Sequence, residues 1–234
     1  MRFISLFSGI GGFDLGFERA GMTCVTQIEK DDFCQKVLTK HWPDVPKYRD
    51  IRDVECQSLP PAEVIIGGAP CQPFSSSGVK RGAKDDRYLW PEMFRIIRCV
   101  HPQWVVFENV ANLVRMEEYS NIHTDMDTEG YDTISLLLPA SGIGAPHLRK
   151  RLFMVSNSTG GRCEKQWGFG SKKISISDLE RFSWWASEPG VCRVANGVPN
   201  RMDRLRALGN AVVPQLAQII ATAIIQTNSI LTNT

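Results

Sequence analysis

The chain lacks a Cys-x-x-Cys pair, an internal repeat, a long unbroken apolar run and any large charge imbalance. Each absence excludes something. Its seven cysteines, Cys24, Cys34, Cys56, Cys71, Cys99, Cys163 and Cys192, are odd in number and scattered. That spacing excludes a four-thiolate zinc site, argues against a disulfide framework and fits a reducing cytosol. A formal net charge of +2 gives no global pull on a polyanion, so any surface for nucleic acid must be local. The most apolar stretch, Ala211 to Ile225, is interrupted by Pro214, Gln215 and Gln218 and reads as too broken to cross a bilayer. Met1 to Leu6 runs straight into glycines and reads as a first strand rather than a leader. What is present is ordinary: 234 residues, 43% hydrophobic and 22% charged, enough for one main core without staples. These features predict a soluble, intracellular, membrane-free protein.

Short apolar runs alternate with helix-like stretches over the first two-thirds, the pattern of a mostly parallel sheet covered by helices. Strands are expected at Phe3–Phe7, Cys24–Ile28, Ala62–Ile66, Gln103–Phe107, Asp132–Leu138 and Leu152–Val155. Helices are expected over Phe13–Arg19, stopped by Gly21, and over Pro91–Val100, with proline in its first turn. Ser156 to Asn200 is rich in Ser, Gly, Lys and Trp and shows little periodicity, which reads as a small irregular lobe. A helical pattern resumes at Arg201, and Thr227 to Thr234 are polar enough to fray.

Four places carry chemistry. In Leu6-Phe-Ser-Gly-Ile-Gly-Gly-Phe13 a strand enters a glycine-rich turn and then a helix, where backbone can approach a ligand closely. Glu29 ends the second strand, where an acidic group can accept hydrogen bonds from both hydroxyls of a ribose. The alternative is a tight turn with no ligand. Cys71 follows a buried strand in Gly67-Gly-Ala-Pro-Cys-Gln-Pro, flanked by Pro70 and Pro73, which restrict the backbone presenting the thiol. Nucleophile and small core residue are both open for it; Cys24, Cys34, Cys56 and Cys99 read as core. Glu108-Asn109 closes another apolar strand, so desolvation is expected to favour a protonated Glu108 that can donate to a heterocycle; a helix cap or loop salt bridge is the alternative. Arg149 and Arg151 begin a strand and, by alternation, should share one face, suited to phosphate or to a carbonyl gaining charge; a solvated basic edge is equally compatible.

In order, these motifs resemble the DNA cytosine-5 methyltransferase family. Phe7 to Gly12 is similar to its S-adenosylmethionine turn, Pro70-Cys71-Gln72 to its catalytic loop, and Glu108-Asn109-Val110 to its Glu-Asn-Val motif. Arg149-x-Arg151 resembles the end of its Gln-x-Arg-x-Arg motif, with His147 standing where glutamine is usual. Gly209-Asn-Ala-Val-Val-Pro214 resembles the segment that closes over the cofactor, and Asp50-Ile51 is similar to the place of the aspartate that meets the adenine amino group.

The resemblance implies a Rossmann-like α/β methyltransferase fold and a cytosine flipped out of double-stranded DNA. Cys71 would attack carbon 6, Glu108 would hold or protonate ring nitrogen 3, Asn109 would orient the loop, and Arg149 and Arg151 would meet the base carbonyl or a phosphate. Phe7, Gly9, Ile10, Gly11, Gly12, Glu29, Asp50, Ile51, Pro70, Asn210 and Ala211 would line the S-adenosylmethionine pocket, with no metal. It also implies a catalytic and cofactor domain over 1–155, a reduced target-recognition segment over 156–192 and a return segment over 193–234. A monomer acting on DNA in a bacterial or phage-infected cytoplasm is expected, with room for a cognate restriction endonuclease. Trp167, Trp184 and Trp185 among Arg162, Lys165, Lys172, Lys173 and Arg181 read as a stacking and phosphate-contact surface, or as anchors of a small lobe. Transfer-RNA methylation, a nucleic-acid binder without turnover, and a nicotinamide oxidoreductase are the competing readings.

Overall fold

The computed structural model describes residues 1–70, 88–158 and 201–232. Seven strands form one sheet: β1 (Arg2–Leu6), β2 (Thr23–Ile28), β3 (Lys47–Tyr48), β4 (Val64–Gly67), β5 (Trp104–Val110), β6 (Asp132–Pro139) and β7 (Lys150–Asn157). Their order is β3-β2-β1-β4-β5-β7-β6, parallel except for β7, which runs antiparallel to both neighbours. Around it lie α1 (Gly12–Arg19), α2 (Asp32–His41), α3 (Trp90–Val100), α4 (Glu117–Thr128), α5 (Arg201–Asn210) and α6 (Pro214–Thr232). This is the layered α/β architecture that the alternating pattern predicts.

The strands are apolar on both faces because helices cover both. Ile4, Leu6, Ile65, Val105, Phe107, Leu152 and Met154 face a core completed by α3 and α4. Their alternates Phe3, Val64, Ile66, Trp104, Val106, Phe153 and Val155 face a second core completed by α1 and α6. Register then sets the working edge. Ile28, Leu6, Gly67 and Phe107 are paired across four strands. The residues that follow them, Glu29, Phe7, Gly68 and Glu108, therefore stand in one row at the carboxyl ends. The chain departs from β1 toward β2 on one side and toward β4 on the other, so this row lies at the crevice where open α/β sheets bind ligands.

Several boundaries differ from expectation for physical reasons. Helices α2 and α4 bury only Cys34 and Leu38, and Ile122 and Met126, respectively, so their sequences carry almost no apolar period. What starts α2 is Asp31, whose carboxylate accepts from the Phe33 and Cys34 backbone N–H groups. Strand β5 continues through Glu108 and Asn109, and β7 through Ser156 and Asn157, so polar composition begins inside the strands. Helix α6 does not fray at Thr227: that residue is buried, and the helix runs to Thr232. It is held by a stripe of Leu216, Ala217, Ile220, Ala221 and Ile224 packed on α1 and the sheet.

The cysteine expectation is corrected. Cys56 and Cys99 are not separate core thiols but form a disulfide, with Cα atoms 6.0 Å apart, joining the segment after β3 to the end of α3. Its 43-residue separation leaves no trace in the local pattern that suggested unpaired cysteines, and the inference of a reducing compartment loses that support. Cys24 and Cys34 are buried and free as expected.

Candidate active site

The glycine turn is built from unusual backbone. Phe7, Gly9 and Gly11 all have positive φ, which the two glycines adopt freely and Phe7 does not. A Cβ on Gly11 would overlap the Trp42 ring, and one on Gly12 the Val212 carbonyl oxygen. Gly12 thus seats the return segment on α1, a packing role that the resemblance does not suggest. Below the turn, Asp14 is fully buried and accepts from Ser5 Oγ, Gln27 Nε2 and Cys24 Sγ, anchoring α1 to β1 and β2; burial pushes its pKa up.

Glu29 locks the turn to β2. One of its oxygens accepts from the Gly9 N–H at 2.8 Å and the other from the Asp31 N–H at 2.7 Å. A carboxylate offers about four acceptor positions, so two remain for the ribose hydroxyls assigned to it. Asp50 is different. Its oxygens accept from the backbone N–H, Nε and Nη2 of Arg52 and from Lys30 Nζ at 2.9 Å, and these cations hold its pKa far below the usual carboxylate range. Its acceptor positions are filled, so an adenine amino group would have to displace the exposed Lys30. Ile51 beside it is buried. Lys30 carried no sequence signal, because the fold brings the Asp50 carboxylate to it from twenty residues away, whereas Arg52 binds Asp50 locally, two residues on.

Glu108 and Asn109 sit beside the segment that leads to Cys71. Glu108 is 7% exposed, and its carboxyl lies so close to Gly68 that a Cβ there would meet Oε2 at 3.0 Å. Asn109 Nδ2 donates to the Ala69 carbonyl at 3.3 Å, and its Oδ1 accepts from the Val110 N–H. Arg151, a diagonal neighbour across β5 and β7, places Nε 3.1 Å from Glu108 Oε1. Among the described residues, that oxygen takes no hydrogen bond. Burial pushes the Glu108 pKa up to about 7, with Arg151 and then Arg149 opposing it. The expected desolvation of this carboxyl is therefore present. Pro70 is exposed, and Cys71 lies outside the described residues, as do the tryptophans and basic residues of 162–185.

Arg149 corrects the expectation that the two arginines share a face. It precedes β7 with a φ of +24°, so strand alternation does not reach it. Its guanidinium donates instead to the Gly209 carbonyl at 2.9 Å and the Ala211 carbonyl at 2.6 Å. Asn210, between those carbonyls, is exposed. A cavity of 930 Å³ between α1, α2 and the return segment is lined by Ile10, Gly11, Gly12, Arg149 and Ala211 together with Trp42, Leu205 and Leu208. The residues assigned to the cofactor thus fall in two groups. Phe7, Gly9, Glu29, Asp50, Ile51, Pro70 and Asn210 do not line that cavity; all of these but Asn210 belong to the sheet-edge row and its neighbours. Among the described residues no cluster of His, Cys, Asp or Glu could hold a metal ion.

Comparison with known proteins agrees with this geometry. The family model for C-5 cytosine-specific DNA methylase matches residues 1–183. Type II methyltransferase M.HhaI of Haemophilus parahaemolyticus is 34% identical over 162 residues, 66% of this chain and 48% of that protein. M.HgiCII of Herpetosiphon aurantiacus is 35% identical over 159 residues, 66% of this chain and 36% of its own length. M.SsoII of Shigella sonnei is 33% identical over 216 residues, covering 90% and 53%. This chain spans about a third to a half of the length of these curated relatives. Among solved structures, a putative DNA modification methyltransferase from an Escherichia coli prophage aligns at TM-score 0.57 and 28% identity over 67% of this chain and 46% of that one. A DNMT2 variant of Spodoptera frugiperda aligns at 0.58 over 74% and 53%, and at 20% identity it speaks to fold alone. With the glycine turn, the Glu-Asn-Val strand end and Arg151 on one sheet edge, the chain belongs to the C-5 cytosine-specific DNA methylase family.

Proposed function

We propose that this chain transfers a methyl group from S-adenosylmethionine to carbon 5 of cytosine in double-stranded DNA, through a transient bond between Cys71 and carbon 6. The observation that carries the reading is the Glu108–Arg151 pair, in which the Glu108 carboxyl is buried against Gly68, a residue three positions before Cys71 in the chain. Gly68 and Ala69, the second held by Asn109 through its carbonyl, are the residues that lead into Pro70-Cys71 in sequence.

Each residue then has a role its chemistry supports. The Cys71 thiolate adds to carbon 6 while Glu108, with a pKa near neutrality, delivers its proton to ring nitrogen 3. Electron density shifts to carbon 5, which becomes the nucleophile. Arg151 donates toward the base carbonyl and keeps the Glu108 carboxyl in place. Glu29 holds the ribose, and the Phe7–Gly11 turn admits the nucleoside close to backbone. When bound, S-adenosylmethionine supplies an electrophilic methyl group. Transfer of the carbon 5 proton to solvent water, return of the nitrogen 3 proton to Glu108 and departure of Cys71 Sγ as thiolate restore the aromatic base. Extrusion of the base is required because carbon 6 is inaccessible within the stack. Residues 156–192 are the proposed reader of the DNA word. The chain acts as a monomer in the cytoplasm of a bacterial host, and a restriction endonuclease of the same specificity is its natural counterpart.

The test is incubation with methyl-labelled S-adenosylmethionine and random-sequence DNA duplexes, with transfer RNA as a parallel acceptor. Label recovered as 5-methylcytosine in DNA, lost with Cys71→Ala, is the expected result. Label confined to RNA, or retained by Cys71→Ala, contradicts it.

A further inference from the structure

Arg149 is the one residue of the basic pair whose guanidinium faces protein rather than the Glu108 carboxyl, and its contacts are specific. Nη1 and Nη2 each take one backbone carbonyl, of Gly209 and Ala211, two residues apart and 60 and 62 positions away in sequence. The planar fork of a guanidinium presents two fixed N–H donors to such a pair of acceptors, a geometry that a single ammonium nitrogen does not reproduce. The backbone that aims it is strained, with φ of +24° at a non-glycine residue, and is held by the Ala140 N–H, which donates to both the Leu148 and Arg149 carbonyls. Ala211 and Val212 break the chain between α5 and α6, and the Val212 carbonyl rests against Gly12 of the glycine turn. The end of α5 and the link that follows it are thus gripped from two sides, with exposed Asn210 as the last residue of the helix.

We propose that Arg149 is a positioning residue, a clamp that fixes the Gly209–Ala211 segment so that Asn210 is presented to the bound methyl donor, and not a phosphate or base contact. This rests on the functional reading above and gives the two arginines separate duties. Arg151 serves the base through Glu108, whereas Arg149 serves the cofactor side. One strand entry thereby joins the catalytic edge to the return segment.

The experiment is calorimetric titration of the full chain with S-adenosylhomocysteine, for the parent and for Arg149→Lys, Arg149→Met and Asn210→Ala. It is paired with cofactor KM and kcat on duplex DNA and with DNA affinity at several salt concentrations. The clamp predicts that both Arg149 variants and Asn210→Ala weaken S-adenosylhomocysteine binding tenfold or more. Cofactor KM rises in parallel, kcat at saturating cofactor changes less than threefold, and the salt dependence of DNA binding is unchanged. Unaltered cofactor affinity with weaker DNA binding and a shallower salt slope in Arg149→Met would make Arg149 a phosphate contact and overturn the proposal. Should the Arg149 variants fail to fold, Asn210→Ala decides alone, and unchanged cofactor affinity there leaves the clamp nothing to position. A parent chain that binds no S-adenosylhomocysteine refutes the functional reading itself, a result distinct from failure of the clamp.

Discussion

In the proposed function Glu108 is the proton donor, and its environment makes two measurable demands. Its folded pKa of about 7 stands above the ordinary 4.5, so the fold prefers the protonated form. Stability from this group is therefore complete below about pH 4.5 and is lost as pH rises through about 7. Removing the ionisable group should then help at high pH. Glu108→Gln is expected to raise urea-denaturation stability at pH 8 relative to the parent by roughly 1–3 kcal/mol, with little difference at pH 5. The same substitution removes the proton donor and should lower kcat by about 10²–10⁴. Parent activity should fall on the alkaline side as Glu108 ionises, and a pH profile of single-turnover methyl transfer is the check. Desolvation of Glu108 was legible because an apolar run precedes it. The aim of Arg149 was not, since alternation applies only inside a strand and a positive φ breaks it. Nor could sequence show that Lys30 takes an acceptor position of Asp50, because that contact spans twenty residues and exists only after the β3 region has folded back.

At the scale of elements, the glycine turn is as much a packing surface as a binding loop. Gly12 meets the backbone of Val212, and Gly16 meets Pro214 and Ala217, so α6 approaches α1 only where side chains are missing. Gly16→Val should force α6 off its seat and destabilise the chain by about 1–3 kcal/mol or more, the usual cost of overpacking. Gly21→Ala, where a Cβ meets nothing but φ is +93°, should cost only the backbone strain, on the order of 1 kcal/mol. Urea titration of the two variants separates space from conformation. The Cys56–Cys99 link closes a long loop that includes β4 and the Cys71 segment. By loop-closure entropy its reduction should lower stability by about 4 kcal/mol at a separation of 43 residues. Denaturation with and without a phosphine reductant, compared with Cys56→Ser, measures this. Periodic elements such as β1, β5 and α3 were readable because their buried faces repeat. Helices α2 and α4 were not, since each buries only two residues and depends on caps and neighbours.

The whole molecule is organised by one edge. Register across β2, β1, β4 and β5 lines up Glu29, Phe7, Gly68 and Glu108, and antiparallel β7 delivers Arg151 to the same place from the opposite direction. Residues far apart in sequence become neighbours because the sheet order brings β1 between β2 and β4, an arrangement that motif order suggested and only strand pairing makes definite. The chain achieves this in about a third to a half of the length of the curated relatives compared above. If that edge carries out covalent base activation, the chain should be trapped by a base that cannot complete the cycle. The decisive measurement is mass spectrometry of the full chain incubated with S-adenosylmethionine and a random-sequence duplex library in which 5-fluorocytosine replaces cytosine. A denaturation-resistant protein–DNA adduct mapped to Cys71, and absent from Cys71→Ser, is the predicted result. A chain that binds the donor yet forms no adduct across the library, or an adduct mapped to another cysteine, would contradict the assignment.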